Sequence, residues 1–505
     1  METELKFALS PEARRAVEGH LLVQGEGAAI GAHVDRTTYF DTADHALHRA
    51  GLSLRIRHRV DGRAEGDGTY VQTVKARGNG SGLRREEWQW SIAGADLDRK
   101  RLEEVPGLLP ILKDGVDLQP VFCTEVRRCE RLLRPDGNSQ VELALDDGVV
   151  VAARQSEPLS ELELELKGGT EESLLRLGLD LVQTAALSLQ IESKAERGYR
   201  LQEGRGPNAQ EAAAVIVDPD ASAAEGFARL ADAALAHLLA NQPAALRGDQ
   251  TEGVHQMRVA VRRLRSLLVL FAPVLEARGR RRFTEELRRL GDCLGLARDW
   301  DVLAEETLRQ AEAEGVDRGW MGLLRGAVEE RRHAAHQAAK KAIGEPDFAR
   351  FVLSFRAWSG CRPAALASDT KDLPLERLAP DLLDCLEKKA ARRLDRSDAD
   401  EPVTLHALRK SVKKLRYGVE YLDALFGREA ARYAKSCNSV QKKLGALNDL
   451  ETAERRVAEL AENGRLDLVP AMGALMHWAE ARRPKLLKKA LKACATYSRA
   501  DPFWR

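Results

Sequence analysis

The run ELELELK at residues 161–167 decides how the first two hundred residues fold. Acid and leucine alternate strictly along it. Side chains two apart in a β-strand share a face, so Glu161, Glu163, Glu165 and Lys167 point one way and Leu162, Leu164 and Leu166 the other. Outward from this run the same period recurs in ETELKF (2–7), GLSLRIRHR (51–59), TYVQTVKAR (69–77), LRREEWQW (83–90) and VELALDDG (141–148), with breaks at Gly and Asp. Residues 1–200 therefore read as antiparallel β-structure. Two helices are expected to interrupt it: one after Ser10-Pro11, where an N-cap serine precedes proline at the first helical position, and one over about 171–185.

Alternation of this kind also marks any sheet with one wet face. Two features point further. The polar faces are segregated by sign: Glu2, Glu4 and Lys6 share a face, as do Glu142 and Asp146, whereas Arg55, Arg57 and Arg59 share another, with Leu54 and Ile56 opposite. Lys75 with Thr73, and Arg85 with Glu87, add to the set. A row of carboxylates two apart repels itself unless a cation is present, and hard divalent ions prefer such oxygen donors. If these faces line the inside of a closed sheet, Arg and Lys hold phosphate oxygens and the carboxylates hold a divalent metal. No nucleophilic Ser, Cys or His stands out, and none is needed if water attacks phosphorus directly.

The ExExK pattern at Glu2, Glu4 and Lys6 is followed in order by TTYFDTADHALHRAGLSLRIR (37–57), TVK (73–75), VELALDDG (141–148), ELELELKGG (161–169) and SKAERGY (193–199). This ordered set resembles the CYTH domains, the triphosphate tunnel metalloenzymes, over essentially all of residues 1–200. The resemblance implies an eight-stranded antiparallel β-tunnel with flanking helices that hydrolyses inorganic triphosphate with Mg2+ or Mn2+. It implies metal ligation by Glu2, Glu4, Glu163, Glu165 and Asp146, and phosphate contacts from Lys6, Arg55, Arg57, Lys75, Arg85, Arg127 and Lys194, with Glu2, Glu4, Lys6 and Asp146 at the chemistry. The pair Glu163 and Glu165 is chosen from three same-face glutamates by its position before KGG. Around VRRCER, Arg127 is taken, with Arg128 and Arg131 as alternatives.

After a linker at 203–220 the composition turns to Ala, Leu, Arg and Glu, and the pattern becomes helical to residue 505. VHQMRVAVRRLRSLLVLF (254–271) matches LHALRKSVKKLRYGVEYL (405–422), and LGLARD (294–299) matches LGALND (444–449). The repeat predicts a duplicated all-α bundle with pseudo-two-fold symmetry, its units near 221–345 and 376–505. Val254, Met257, Val261, Leu264 and Leu268, like Leu405, Leu408, Val412, Leu415 and Val419, form a core stripe. Beside it run two basic stripes, His255, Arg258, Arg262 and Arg265, and His406, Arg409, Lys413 and Arg416. H-x-x-R with following basic pairs, then LG-x-x-x-D, is similar to the CHAD domain, which implies a basic groove for inorganic polyphosphate.

The bulk numbers agree with two domains of different charge. Of 505 residues, 1–205 carry 28 Lys and Arg against 35 Asp and Glu, net −7; the remainder carries 51 against 43, net +8. No apolar run reaches the roughly 18–20 residues of a membrane span, and METELKFALS lacks the features of a signal peptide. The seven cysteines form no CxxC pair and are expected as reduced thiols. A cytoplasmic protein is expected, with association with polyphosphate granules as a further expectation from the helical half. Neither membrane nor nucleic acid is an expected partner, because little aromatic interleaving supports base stacking. Rival functions are a class-IV-type adenylate cyclase, a thiamine or nucleoside triphosphatase, and a non-enzymatic polyphosphate-binding or granule-targeting protein.

Overall fold

A computed structural model describes residues 2–24, 29–61, 68–76, 84–112, 116–247, 251–361, 370–462 and 465–505; within these, the side chains of Glu2, Leu21, Ala29, Ile30, Asp61, Arg84, Arg85, Cys361, Glu462 and Leu466 lie outside the description. The chain divides into two compact units: 1–209 with 242–249 and 343–357, and 210–241 with 250–342 and 358–505.

The alternating runs form strands as their period requires. They are β1 (Glu2–Ala8), β2 (Ala29–Asp41), β3 (Leu52–Asp61), β4 (Thr69–Ala76), β5 (Arg84–Arg85), β6 (Glu87–Ile92), β7 (Gln119–Leu133), β8 (Gln140–Ala152), β9 (Gln155–Gly168) and β10 (Ser188–Leu189). Eight of these have six residues or more. All pairings are antiparallel, in the order β10-β1-β9-β8-β7-β2-β3-β4-β6, and β5 pairs with β1. The strand path is thus not a closed eight-stranded tunnel. Among the described residues its two edges are linked only by β5, one residue upstream of β6, through the pairs Glu2–Arg85 and Thr3–Arg84.

Both predicted helices are present. Ser10 caps Pro11–Glu18 by accepting from the Ala13 amide at 3.1 Å, and Thr170 caps Glu171–Ala185. Gly178 lets the second of these lie close to the sheet: a Cβ there would sit 2.8 Å from Leu5 Cδ1 and 3.3 Å from Leu353 Cδ1. Leu353 belongs to the helix Pro346–Arg356, which packs on Glu171–Ala185 and adds the Arg356–Glu171 ion pair at 2.8 Å.

One face of β3 and β4 buries Leu52, Leu54 and Val74 against Leu47, Leu102, Val105, Leu108 and Leu118. Each such side chain contributes about 1.5–3 kcal/mol when fully buried. The charged residues occupy the other face. That inner face turns apolar at one end, where Tyr39, Phe122, Val126, Val150, Ala152 and Leu159 pack under Tyr199 and Leu201 of the helix Lys194–Glu203. This helix starts at a Ser193–Glu196 capping box, and the Tyr199 hydroxyl donates to buried Asp41 at 2.7 Å.

The second unit is helical. The helix Glu252–Leu270 packs between Ala223–Ala240 and Ala277–Val302, and Pro402–Tyr421 packs between Leu375–Asp395 and Arg428–Glu462, so the matched sequences hold matched places. Both predicted core stripes are buried. Gly295 and Gly445 of the two LGxxxD runs approach the guanidinium groups of Arg258 and Arg409, with a Cβ distance of 3.7 Å in each case. The expected linker is irregular but not loose: Val217 is buried, and Gln210 bonds to Asn241 and His237. Among the described residues, no helix is long and apolar enough to cross a membrane. The described cysteines, Cys123, Cys129, Cys293, Cys385, Cys437 and Cys494, are all free.

Candidate metal and phosphate site

Strand register stacks the charges in rows. Glu161 of β9 is level with Asp146 of β8, which is level with Arg128 of β7 and then His33 of β2. One step along, Lys6 faces Glu163, then Ala144, then Glu130. A further step gives Glu4, Glu165 and Glu142. The small Ala144 side chain leaves room in the middle row, and carboxylate oxygens of Asp146, Glu161 and Glu163 come within 4.8 Å of one another.

Among the described residues four cations contact this trio, three of them closely and Arg197 at 3.7 Å from Glu161. Lys194, at the first turn of the sealing helix, reaches Asp146 at 2.7 Å and Glu163 at 2.9 Å and also bonds Glu161. Arg128 forks onto Asp146 at 2.8 and 2.6 Å and bonds Glu163. Lys6 lies 2.9 Å from Glu163 and 3.3 Å from Glu4. Burial works to raise the pKa of Glu163, but Lys194, Lys6 and Arg128 outweigh it and hold the group well below the usual range. Asp146 is likewise lowered, burial being overcome by Lys194 and Arg128. Burial opposes the charge on Lys194, yet Asp146, Glu161 and Glu163 raise its pKa. Asp146 and Glu163 are therefore ionised, and the trio is held by long, displaceable side chains.

On β3 the balance is reversed. Arg57 has its pKa pushed down to about 10, first by the neighbouring charge of Arg55 and then by burial, with Asp35 opposing. Lys75 lies 3.4 Å and Arg55 4.0 Å from the Glu87 carboxylate. This cation-rich strand has the chemistry of an anion seat.

Most of the expected residues converge. Glu4, Lys6, Asp146, Glu163 and Lys194 meet in one cluster, and Arg55, Arg57 and Lys75 carry the basic strand. Glu2 and Arg85 are paired through their backbones, and their side chains lie outside the described residues. Two expected residues lie apart from the cluster. Glu165 sits nearer solvent, 26% exposed and bound to Lys167 at 2.7 Å, while Glu161 joins the trio because it, not Glu165, is level with Asp146. Arg127 points outward and is exposed; Arg128, of opposite parity, enters the cluster. The parity is readable in β7, where Phe122, Thr124, Val126 and Glu130 are buried and Cys123, Glu125 and Arg127 exposed. Arg197 is a further residue that motif reading missed, buried 3.7 Å from Glu161.

In the helical unit the two basic stripes face a shared cluster. Burial, then Arg262, Arg409, Arg258 and Arg265, drive the Lys413 pKa well below its ordinary value. Burial also lowers Arg258, Arg409, His255 and His406, with neighbouring cations adding to it. The Nε atoms of Arg262 and Arg409 are buried without a hydrogen-bond partner. Arg416 departs from this pattern: it bonds Gln441 at 2.9 Å and Glu420 at 2.5 Å and stacks on Tyr417. Arg265 is exposed.

Comparison with known proteins agrees with this division. Residues 1–199 match the CYTH domain family and residues 229–458 the CHAD domain family. The chain is similar to an inorganic triphosphatase of Haemophilus influenzae, 30% identical over 210 residues, which is 40% of this chain and 54% of that protein. The chain thus spans about half the length of that relative. It is also similar to an uncharacterized protein of Mycobacterium tuberculosis, 26% identical over 455 residues, 83% of this chain and 81% of the other. Among solved structures, the CHAD domain from the plant Ricinus communis matches with TM-score 0.51 and 28% identity, over 57% of this chain and 97% of that one.

Proposed function

For this chain, which belongs to the proteins that join a CYTH domain to a CHAD domain, we propose metal-dependent hydrolysis of inorganic triphosphate to pyrophosphate and phosphate. The observation that carries the reading is the carboxylate trio Asp146, Glu161 and Glu163 together with the basic strand of Arg55 and Arg57, where the charge of Arg55 lowers the Arg57 pKa. The similarity of residues in the N-terminal half to an inorganic triphosphatase supports the substrate.

The trio suits Mg2+ or Mn2+: three hard oxygen donors lie close together, and Asp146 and Glu163 are kept deprotonated. A cation bound there supplies charge neutralisation and polarisation of the phosphate oxygens. Lys6, Arg128 and Lys194, which now satisfy the carboxylates, turn to phosphate oxygens when the carboxylates are engaged. Arg55 and Arg57 bind the remaining phosphate charge, and their mutual repulsion is relieved as the anion enters. Water attacks the terminal phosphorus, the phosphoanhydride bond breaks, and pyrophosphate leaves with the bonding electron pair. The pocket of guanidinium and ammonium groups stabilises the leaving oxygen.

In the helical unit, inorganic polyphosphate binding is supported by the buried cations around Lys413 and by the unpartnered Nε atoms of Arg262 and Arg409. Here long-chain polyphosphate would be bound and not cut.

The test is product analysis with tripolyphosphate, ATP, thiamine triphosphate and long-chain polyphosphate, each with Mg2+ and Mn2+. Preferential release of phosphate from tripolyphosphate is expected. Cyclic AMP as the main product from ATP would replace this reading with a cyclase. Salt-insensitive polyphosphate binding, unchanged in Arg262→Ala/Arg409→Ala, would remove the helical part.

A further inference from the structure

We propose that Asp35 and Glu130 form an acidic stop that limits the substrate to three phosphates; the proposal rests on the triphosphate reading above. The inner face has a sealed end and an open one. At the sealed end, Tyr39 and Phe122 lie level with Arg55 under Tyr199. Away from it, side-chain exposure rises along β3 from 13% at Arg55 to 21% at Arg57 and 32% at Arg59. It rises along β9 in step, from 1% at Glu161 to 12% at Glu163 and 26% at Glu165. A linear polyanion seated with one end under Tyr199 therefore extends past Arg57 towards Arg59, each step of two residues adding about 6.6 Å.

The cation surplus ends at that step. Arg59 is held by Asp35, with its Nε at 3.1 Å, and lies 3.6 Å from Glu130. Glu130 is also 3.8 Å from Arg128, and Asp35 is 3.6 Å from Arg57. Both carboxylates are about nineteen-twentieths buried, at 5% and 6% exposure. His33, also 6% exposed, points its Nε2 between them at 3.5 and 3.9 Å, and that nitrogen has no hydrogen-bond partner. Burial works to raise the Asp35 pKa, but His33, Arg57 and Arg59 outweigh it and hold the carboxyl below its usual range. Three phosphates are matched by Arg55, Arg57 and Arg128. A fourth would lie against the Asp35 and Glu130 carboxylates in surroundings where salt screens little.

The experiment uses the full chain and its Glu130→Gln and Asp35→Asn variants, with kcat/KM measured on tripolyphosphate, linear tetrapolyphosphate and methyl triphosphate, whose extension is uncharged. The tetrapolyphosphate-to-tripolyphosphate ratio should rise on the order of tenfold in either variant, and most of the gain should be kept at high salt. Methyl triphosphate should gain less than about twofold relative to tripolyphosphate. Circular dichroism identifies folded variants, and calorimetric binding of tetrapolyphosphate supplies the same ratio where turnover is low. An unchanged ratio in folded variants, with the parent active on tripolyphosphate, overturns the stop alone. An equal gain for methyl triphosphate also overturns it, since widening, not charge, would then be the cause. A parent inactive on tripolyphosphate removes the triphosphate reading and the stop with it.

Discussion

Replacing Lys194 with methionine isolates the electrostatics of the site from its shape. Methionine keeps much of the side-chain volume but leaves Asp146, Glu161 and Glu163 with three contacting cations, Arg128, Lys6 and Arg197, in place of four. Removing one partner of a buried ion pair costs about 3–5 kcal/mol. Arg197, 3.7 Å from Glu161, offsets part of this, so the lower end, about 3 kcal/mol, is expected. For a domain of this size that lowers the melting temperature of the first unit by roughly 6–12 °C. The pH dependence is the sharper readout. In the parent, the pKa values of Glu163 and Asp146 are depressed, so their contribution is present above the unfolded carboxylate range and lost as pH falls through the folded values, below about pH 4. Lys194 leads the groups that lower both, and without it burial prevails and both carboxylates take up protons more readily in the folded state. The variant should therefore gain stability as pH is lowered from about 7 to about 5, where the parent is flat. Calorimetric melting of both proteins across that range, with and without Mn2+, is the assay. Added Mn2+ should restore the variant by more degrees than it adds to the parent. A melting temperature within about 2 °C of the parent, with the same pH profile, would refute the charge balance assigned to Lys194.

The other predictions are separable from this one. In Mn2+ titrations, Glu161→Gln should weaken binding by roughly tenfold or more and Glu165→Gln by less than about threefold, because only Glu161 is level with Asp146. Arg128→Ala should weaken tripolyphosphate binding by on the order of a hundredfold while Arg127→Ala stays within about twofold, as calorimetry would read. Tyr199→Phe should cost the first unit about 1 kcal/mol in urea unfolding, since Asp41 keeps its bonds from Thr42, Leu47 and His48 when the hydroxyl is lost. Trp504→Ala should cost the second unit about 3–5 kcal/mol: the indole is buried against Tyr433 and Phe503 and donates to Asp384 at 2.9 Å.

Strand identity was readable because the polar and apolar positions alternate over whole elements, and Leu54 and Ile56 are buried opposite Arg55 and Arg57 as the period requires. Register was not readable. Glu161, Glu163 and Glu165 satisfy the same period, and only the pairing of Asp146 with Glu161 decides which pair joins the trio. Arg127 and Arg128 differ by parity alone, which the burial of Val126 and Glu130 fixes. Asp35 and Glu130 belong to no motif; they become a group because β2 and β7 pair and Arg59 spans them. The helices near 242–247 and 346–356 carry the composition of the helical half, yet their contacts place them with the sheet. Amphipathic period shows that a face is buried, not what buries it. The DPFWR terminus, opaque as a motif, is explained by Trp504 and Arg505 fastening onto Asp384 and Glu387.

The central claim is that the trio Asp146, Glu161 and Glu163 and its cations form a triphosphate-hydrolysing metal site. Phosphate release from tripolyphosphate by the parent and by Glu163→Gln, with Mg2+ or Mn2+ and then with chelator, tests it most directly. The account predicts release by the parent that stops on chelation and falls at least on the order of a hundredfold in the variant. Release that survives chelation, or a Glu163→Gln protein as fast as the parent, would contradict it.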